Sequence, residues 1–295
     1  MKISEDFFIE EVRSDFIISS KRKKIWAIEL ELLDKFIEVC SKYKLTYYIM
    51  GGTLLGAVRH QGFIPWDDDI DVIMPRKDYN TLLEIGPKEF SFPLFFQTPQ
   101  TEVNFFRTHI QIRNSLSTGA IKNDRDLDIN RGIFIDVFVL DNIPDSHCER
   151  FILRSVIKFI TTIVPGCTYY KKRGDKSLLG RLKYILAYPV YKVFTLPKWF
   201  EIFNRVCSAY RDKPTKQVAH LALGWRPKVS WDSEDWSESI ELPFEMKKLN
   251  APKYFDTILK KQYGDYWIIP SDKNGSTHGE VEFDPNVPYW EYFKS

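Results

Sequence analysis

The pattern of hydrophobic and polar positions along the chain predicts a mixed α/β fold. Apolar residues recur at steps of three and four over residues 22–43, which predicts a long amphipathic helix. Short β-branched and aromatic runs predict strands, and amphipathic segments that end near glycine predict further helices. The predicted strands cover 46–50, 70–74, 105–113 and 132–140, and the other predicted helices cover 54–60, 77–85 and 252–264. We expect an α/β or α+β fold, with a small mixed sheet flanked by helices, a helical, basic second half and ordered coil over the last 30 residues.

The middle of the chain combines helical periodicity with an excess of positive charge. Residues 150–200 contain eleven lysines and arginines and a single acid, so the stretch carries +10 while the whole chain carries +2. Breaks near Pro165-Gly166, Gly174 and Pro189 divide it into two or three predicted amphipathic helices. Such a face suits an anionic membrane or a negatively charged lipid-linked acceptor. A helical subdomain with solvated lysines would give the same pattern.

Length and composition exclude several classes of protein. The chain has 295 residues, 44% hydrophobic and 28% charged, which excludes disorder and collagen. Its four cysteines are far apart and form no Cys-x-x-Cys pair, so we expect a reduced, cytoplasmic setting. The first residues carry acids where a signal peptide needs an apolar run, and we expect no membrane span. The net charge gives no argument for a nucleic-acid partner, and we expect none.

A cluster of acids carries the predicted chemistry. The segment Asp67-Asp68-Asp69-Ile70-Asp71 places four carboxylates within five positions. In a strand, Asp69 and Asp71 point to the same face, and two close carboxylates repel unless a cation neutralises them. Asp136 is the one acid in a later apolar strand, and if that strand lies beside the first, three carboxylates converge. Such a trio suits one or two Mg²⁺ or Mn²⁺ ions that clamp a phosphoryl group, whereas the acidic segment alone would also suit a solvated turn.

A glycine pair precedes this cluster. Gly51 and Gly52 lie between a predicted strand and a predicted helix, which Thr53 is placed to cap. Backbone amides at a helix start bind phosphate, and glycine allows the phosphate a close approach. A glycine pair by itself also fits any tight turn, so its value lies in its place just before the acidic strand.

These features together resemble the nucleotidyltransferase superfamily, and the segment from Gly51 to Tyr79 (GGTLLGAVRHQGFIPWDDDIDVIMPRKDY) resembles the LicD family closely. The resemblance continues through residues 110–114, 131–141 and 249–267. It implies a catalytic core at 1–145, and we expect a basic helical region at 146–215 and a C-terminal segment at 216–295 that packs on the core.

The resemblance implies a phosphotransferase and assigns roles in its site. Family members transfer a phospho-alcohol, such as phosphocholine, from a CDP-linked donor to a glycan hydroxyl and release CMP. Asp69 and Asp71 would hold Mg²⁺, and Asp136 would complete the metal site or accept the hydroxyl proton. The residues that we expect to bind the donor are Gly51, Gly52, Thr53, Arg59, His60, Trp66, Asp68 and Arg113.

Several of these residues have structural alternatives. Arg59 either binds a phosphate oxygen or pairs with Asp67 or Asp68, and His60 is expected to hydrogen-bond within its loop. Trp66 either stacks on cytosine or, as we prefer, packs under the loop. Arg113 is expected to bind the donor phosphate or to lie on the surface, whereas Asp68 would orient other groups of the site.

The leading hypothesis is a LicD-type enzyme that decorates a cell-surface glycan or its lipid-linked precursor, as a cytoplasmic protein at the inner face of the membrane. A second hypothesis is nucleotidyl transfer from a triphosphate to a small molecule, which would release pyrophosphate. A third is a catalytically silent scaffold that binds glycan or membrane. The sequence does not identify the alcohol or the acceptor.

Overall fold

The computed structural model describes residues 3–121, 124, 127–173, 182, 185–186, 188–189, 192–193, 195–221, 229–270 and 281–292. Its helices are α1 (Ser20–Tyr43), α2 (Gly51–His60), α3 (Arg76–Glu89), α4 (His147–Arg173), α5 (Leu196–Cys207), α6 (Phe255–Tyr263) and α7 (Tyr289–Tyr292). Its strands are β1 (Glu11–Arg13), β2 (Phe16–Ile18), β3 (Tyr48–Ile49), β4 (Asp71–Pro75), β5 (Leu94–Gln97), β6 (Ile110–Asn114), β7 (Thr118–Ile121), β8 (Ile133–Ile143), β9 (Gln217–Ala219), β10 (Ser230–Asp232), β11 (Ser239–Phe244), β12 (Lys247–Pro252) and β13 (Val281–Asp284).

The strand β8 organises the central sheet. It pairs in parallel with β4 and antiparallel with β6 and β9, in the order β10-β9-β8-β4-β3, and β5 pairs with β6. Its sequence, IFIDVFVLDNI, is apolar on both faces, and ten of its eleven residues are buried. A near-continuous apolar run of this kind is typical of a strand covered on both sides. The sheet is mixed, so the predicted α/β class is confirmed.

The helix α1 packs along this sheet because its apolar stripe is continuous. Trp26, Leu30, Leu33 and Phe36 are fully or almost fully buried at helical spacing, and Trp26 stacks on Phe63 with ring centroids 4.5 Å apart. Ser19 caps the helix, since its side chain accepts a hydrogen bond from the amide of Arg22. Burial of these side chains fixes the position of α1 beside the acidic loop.

A second hydrophobic cluster joins α4 to α5. Leu153 and Ile157 of α4 are buried against Trp199 and Phe203 of α5. This cluster continues onto the central sheet through Ile143, the last residue of β8. Among the described residues, no helix is both long enough and apolar enough to cross a membrane.

Several sequence predictions are wrong in detail. Thr53 does not cap α2, because the helix begins at Gly51 and the Thr53 hydroxyl instead accepts a hydrogen bond from the amide of Asp71 at 2.8 Å. The predicted break at Pro165-Gly166 is absent, since α4 runs through to Arg173. The C-terminal residues are not all coil: β13 pairs with β7 and is followed by α7. The last result has a long-range cause, because the partner of β13 lies about 160 residues earlier in the chain.

The other predicted elements agree with the structure to within a few residues. The long first helix begins at Ser20, two residues earlier than expected. The strand predicted at 132–140 begins at Ile133 as β8. After residue 216, the strands β9 and β10 extend the central sheet, and β11 and β12 form a hairpin. The basic stretch is helical where the structure describes α4 and α5. The three-part division of the chain stays a prediction.

Candidate active site

The register of the central sheet brings the predicted acids together. In the parallel pair of β4 and β8, Asp71 lies directly opposite Asp136. Residues opposite each other in a ladder project to the same face, so these two carboxylates are neighbours. Asp69 lies two positions before Asp71, the first residue of β4, while Ile70 and Val72 are fully buried in the core. The alternation predicted for this strand is therefore observed.

The three carboxylates form a compact group. One oxygen each from Asp69, Asp71 and Asp136 lies within 4.8 Å of the other two. Asp69 and Asp136 are buried, with exposed fractions of 5% and 2%. A second group of this kind, formed by Asp67, Asp68 and Asp69, shares its last member with the first. The acidic segment thus forms a continuous run of oxygen donors and not a solvated turn.

The electrostatics of the trio are unfavourable without a cation. Burial raises the pKa of Asp69 well above its ordinary range, and the neighbouring carboxylates raise it further, Asp71 most strongly. Burial and then Asp136 raise the pKa of Asp71 in the same direction. Both shifts report the free-energy cost of placing like charges in a site with little water. A bound cation would remove that cost.

The glycine pair lies against the same carboxylates. Gly51 has a φ of +56°, a conformation that L-residues other than glycine rarely adopt, and a Cβ at this position would lie 3.0 Å from Oδ2 of Asp71. A Cβ on Gly52 would lie 2.4 Å from Oδ2 of Asp67. The amide of Met50 donates to the carbonyl of Asp71 at 3.1 Å, so the start of α2 is tied to the start of β4.

A cavity of about 820 Å³ opens over this group. Its walls include Asp67, Asp69, Asp71 and Asp136, together with the glycine pair. The remaining wall is formed by Arg59, Trp66, Arg107, His109 and several aromatic side chains. The residues that line the whole cavity are Met50, Gly51, Gly52, Leu55, Arg59, Ile64, Trp66, Asp67, Asp69, Asp71, Phe106, Arg107, His109, Ile121, Asp136, Phe138, Val229, Gln262, Tyr263, Asp265, Tyr266, Ile268 and Pro270. A site of this size accommodates a nucleotide-sized ligand.

Asp136 is held in place by a buried polar network. Its Oδ1 accepts a hydrogen bond from Gln111 Nε2 at 2.7 Å, and Gln111 lies opposite it in the ladder of β6 and β8. Gln111 Oε1 in turn accepts from Arg113 Nη2 at 2.6 Å. Such outer partners fix the orientation of a ligating carboxylate. Sequence reasoning missed Gln111, because alternation alone does not reveal which strand lies beside β8.

Arg113 corrects a sequence-based interpretation. It is 1% exposed, so the surface alternative is wrong. Its guanidinium donates to Gln97, to Gln111 and to the carbonyl of Gly132. These donors are directed at protein acceptors, and Arg113 is not among the residues that line the cavity. The structure therefore supports a role in holding the Asp136 network and gives no support for contact with the donor phosphate.

Arg59 and Trp66 line one side of the cavity, and His60 lies beside them with its ring edge-on to Trp66. The Arg59 guanidinium lies 5.8 Å from the Trp66 ring centroid and donates to His60 Nε2 at 2.9 Å and to the carbonyl of Tyr266 at 3.0 Å. The structure does not pair Arg59 with Asp67 or Asp68. Burial and the charge of Arg59 lower the pKa of His60 to about 4, so this imidazole is neutral at pH 7. Trp66 packs against Phe16 and also lines the cavity, so the packing is observed, whereas stacking on cytosine stays a prediction.

The acidic loop is anchored to α1 through its backbone. The carbonyl of Asp67 accepts hydrogen bonds from Arg22 Nη1 at 2.6 Å and from Trp26 Nε1 at 3.2 Å. The structure places the side chain of Asp67 on the cavity wall, whereas Asp68 lies beside an adjoining pocket with Arg22. Glu29, on the same side of α1, is fully buried, and burial followed by the charge of Asp68 raises its pKa well above the ordinary range.

Two side chains that the sequence did not single out face the trio. His109 Nε2 lies 3.3 Å from Oδ1 of Asp136. Tyr263, at the end of α6, lines the cavity, and burial and the charge of Asp71 raise the pKa of its hydroxyl. The resemblance covered Tyr263 but assigned it no role. Neither residue carries a local signal, because both reach the site through long-range packing.

The three carboxylates are ligands that suit a hard divalent cation. Asp69, Asp71 and Asp136 supply carboxylate oxygens, which Mg²⁺ and Mn²⁺ prefer over nitrogen or sulfur. Among the described residues, Oδ1 of Asp71 is buried and has no hydrogen-bond partner. A buried carboxylate oxygen of this kind is costly unless a cation or a proton satisfies it. The residues present therefore fit a cation that bridges the trio.

Comparisons with known proteins agree with this geometry. Residues 44–122 match the model of the LicD/FKTN/FKRP nucleotidyltransferase domain, and this segment contains the glycine pair and the acidic strand. The chain is 27% identical over 272 residues to a lipopolysaccharide cholinephosphotransferase, LicD, of Haemophilus influenzae. That alignment covers 84% of this chain and 92% of the relative. The match to the family model ends before β8, so Asp136 lies outside it.

Shorter similarities join two rickettsial proteins to this chain. An uncharacterized protein of Rickettsia prowazekii is 45% identical over 58 residues, which is 20% of this chain and 22% of that protein. An uncharacterized protein of Rickettsia typhi is 43% identical over 58 residues. These two similarities cover too little of either chain to bear on activity.

Proposed function

Residues 44–122 are a nucleotidyltransferase domain of the LicD family, and from this premise we propose that the protein is a metal-dependent phosphotransferase. It transfers a phosphocholine-type group from a CDP-linked donor to a hydroxyl of lipopolysaccharide or of another cell-surface glycan precursor, and it releases CMP. The relative of 27% identity is named a lipopolysaccharide cholinephosphotransferase, which supports this choice of substrates. We place the reaction on the cytoplasmic side of the membrane.

One observation carries the proposal. Asp69, Asp71 and Asp136 converge within 4.8 Å on the wall of a cavity, and the start of α2 lies on the same wall. Phosphoryl transfer depends mainly on positioning and on neutralising charge. A trio of carboxylates that fits a divalent cation, beside the start of a helix, supplies both functions, and the nucleophile is the acceptor hydroxyl. The same arrangement is difficult to explain in a silent scaffold, because it raises the pKa of its own carboxylates.

We propose that the donor diphosphate lies between the trio and the start of α2. Gly51 and Gly52 allow the phosphate a close approach to the helix amides, where the helix dipole favours negative charge. Arg59 and Arg107 line the cavity and add positive charge. Arg107 also pairs with Asp124 at 2.7 Å, which orients its guanidinium. Oriented cationic groups of this kind stabilise the charge that develops on a transferring phosphoryl group.

The chemical step is an in-line displacement at the distal phosphorus of the donor. A Mg²⁺ or Mn²⁺ ion, when bound, would neutralise phosphate charge and polarise the phosphorus–oxygen bonds. The acceptor hydroxyl oxygen forms a bond to the distal phosphorus, and the bond from that phosphorus to the bridging oxygen breaks. The electron pair of the broken bond leaves with CMP. The hydroxyl proton passes to a carboxylate of the site; Asp136, which Gln111 orients, either takes that proton or completes the cation site.

The aromatic wall of the cavity favours choline as the alcohol. Trp66, Phe106, Phe138, Tyr263 and Tyr266 all contribute to the lining. A quaternary ammonium cannot donate hydrogen bonds and is recognised by the faces of aromatic rings together with nearby carboxylates. The sequence offered too many aromatic residues to choose among, whereas the structure brings these five to the same cavity as the acidic trio.

Thermal stabilisation by candidate donors tests the proposal. We expect CDP-choline with Mg²⁺ to raise the melting temperature more than CTP with Mg²⁺, because the proposed donor is a diphosphate diester. A ligand at 100 times its dissociation constant stabilises the folded state by about 2.7 kcal/mol, which corresponds to roughly 5 °C or more. CDP-ribitol and CDP-glycerol measured in parallel would rank the alcohols. A shift with CTP that exceeds all CDP-alcohols would favour nucleotidyl transfer instead.

A further inference from the structure

The helix α4 has apolar side chains that the rest of the described chain does not cover. Leu153, Ile157 and Ile160 point inward and are 6%, 1% and 4% exposed. In contrast, Ile152 and Phe159 remain 61% and 57% exposed on an adjoining stripe of the same helix. The adjoining position 156 is also an exposed valine, so the stripe follows the steps of four and three that mark one helix face.

A second apolar stripe follows along the chain. The described residues 182, 185–186, 188–189 and 192–193 are helical. Leu182, Ile185, Leu186 and Val193 have exposed fractions of 55%, 63%, 70% and 66%. These four large aliphatic side chains are therefore all exposed within a short part of the chain, whereas a single exposed residue would need no explanation.

Positive charge surrounds both stripes. Arg154 and Lys158 are exposed on α4, and Lys192 is exposed beside Val193. The segment 150–200 as a whole holds eleven basic residues and one acid. An exposed apolar stripe flanked by lysine and arginine is typical of helices that lie in the plane of an anionic membrane. Neither the stripe nor the charge alone would select a lipid surface.

The basic helices also adjoin the proposed site. Phe106 and Arg107 line the catalytic cavity, and they also line a small pocket against Ile160 of α4 and Trp199 of α5. Phe106 and Arg107 thus lie between the cavity and α4, the helix that carries the first apolar stripe. A lipid-linked acceptor would approach the cavity from this side.

We propose that α4 and the exposed residues Leu182, Ile185, Leu186 and Val193 dock on an anionic lipid bilayer. The apolar stripes enter the boundary between headgroups and acyl chains, and the lysines and arginines contact the lipid phosphates. In the described part of the chain no helix is long and apolar enough to span the bilayer, so the contact is interfacial. The proposal deepens the proposed function, because it explains how a lipid-linked acceptor reaches the cavity.

Vesicle co-sedimentation of the full chain tests the docking surface. Vesicles of phosphatidylcholine alone are compared with vesicles that contain phosphatidylglycerol as well. We expect at least about tenfold tighter binding to the anionic vesicles, with release as the salt concentration rises from about 50 mM to about 500 mM. Equal binding to both vesicles, or no binding to either, would overturn the proposal.

Matched variants separate this surface from general stickiness. Ile152→Glu combined with Leu186→Glu is expected to lower vesicle binding at least about tenfold, since each change places an acid in an apolar stripe. The control is Ile9→Glu combined with Ile17→Glu, because these side chains are similarly exposed, at 63% and 64%, and lie outside the basic segment. Circular dichroism and melting temperature check that both variants fold. Equal binding by both pairs would contradict the proposal.

Two further readouts exclude other occupants. If light scattering shows a dimer that the Ile152→Glu and Leu186→Glu changes dissociate, the stripes bind a second copy and the membrane proposal fails.

Vesicle binding is measured without donor or acceptor, so a failure of vesicle binding leaves the proposed transfer reaction untouched. Conversely, Asp71→Asn should bind vesicles as the wild type does, even if it transfers nothing. Loss of vesicle binding in Asp71→Asn would contradict a surface made by α4 and the exposed residues Leu182, Ile185, Leu186 and Val193.

Discussion

Replacing Asp71 with Asn is expected to lower turnover by at least about 1,000-fold, which corresponds to ~4 kcal/mol of barrier. Asp71 lies opposite Asp136 in the sheet, and its Oδ2 faces the glycine turn at Gly51. Asparagine keeps the shape of the side chain and removes the charge that we propose holds the cation. Steady-state release of CMP from CDP-choline measures the effect. Asp212→Asn, a change at an exposed aspartate, is the matched control and should retain full activity.

The same substitution is expected to stabilise the protein when divalent cations are absent. In the folded state burial and Asp136 raise the pKa of Asp71, so the unfolded chain releases its proton at lower pH than the folded chain does. Stability of the wild type therefore falls as the pH rises above the unfolded pKa of about 4, until the folded pKa is reached. The Asp71→Asn variant lacks this loss, and its melting temperature at pH 7 should exceed that of the wild type. Full activity in this variant, or a lower melting temperature with EDTA, would contradict the assignment.

Replacing Arg76 with Met is expected to lower the free energy of unfolding by about 3–5 kcal/mol. Arg76 begins α3, and its Nε and Nη2 donate to the two carboxylate oxygens of Asp141 in β8 at 2.6 Å and 3.0 Å. Its Nη1 donates to Asn204 of α5 at 2.8 Å. Both charged side chains are almost completely buried, so removal of the guanidinium leaves Asp141 as an uncompensated buried charge. Urea unfolding at pH 7 measures the loss.

Two further variants serve as controls for the Arg76→Met result. The ion pair of Arg205 with Glu201 is exposed, so Arg205→Met should cost less than about 1 kcal/mol. Combining Arg76→Met with Asp141→Leu should recover most of the loss, since the orphaned charge is then removed. Comparable losses for Arg76→Met and Arg205→Met would show that the buried pair does not hold α3, β8 and α5 together.

The centre of the proposed site was predictable because its signals are local. Strand alternation places Asp69 and Asp71 on one face, and Asp136, the one acid in the apolar run of residues 132–140, demands a partner. The glycine pair before the acidic strand adds a further local signal. The parallel pairing of β4 with β8 then joins these signals, and it puts Asp71 opposite Asp136.

The surrounding residues were not predictable because contacts distant in sequence place them. Gln111 supports Asp136 only because β6 pairs with the opposite edge of β8. Tyr263 reaches the trio from α6, more than 180 residues after β4. Arg113 lies at a strand end, where the sequence suggested a phosphate ligand. Its guanidinium instead donates to the side-chain oxygens of Gln97 and Gln111, which are buried inside the protein. Propensity and periodicity do not specify which strands become neighbours.

The identity of the released nucleotide distinguishes the proposed transfer of choline phosphate from nucleotidyl transfer. Wild-type protein, CDP-choline, a lipopolysaccharide acceptor and Mg²⁺ are combined, and the products are separated by chromatography. We expect CMP and choline phosphate on the acceptor in equal amounts, with formation of both abolished by EDTA and restored by excess Mg²⁺. Release of pyrophosphate from CTP without any cleavage of CDP-alcohols, or CMP formation that EDTA does not reduce, would contradict it.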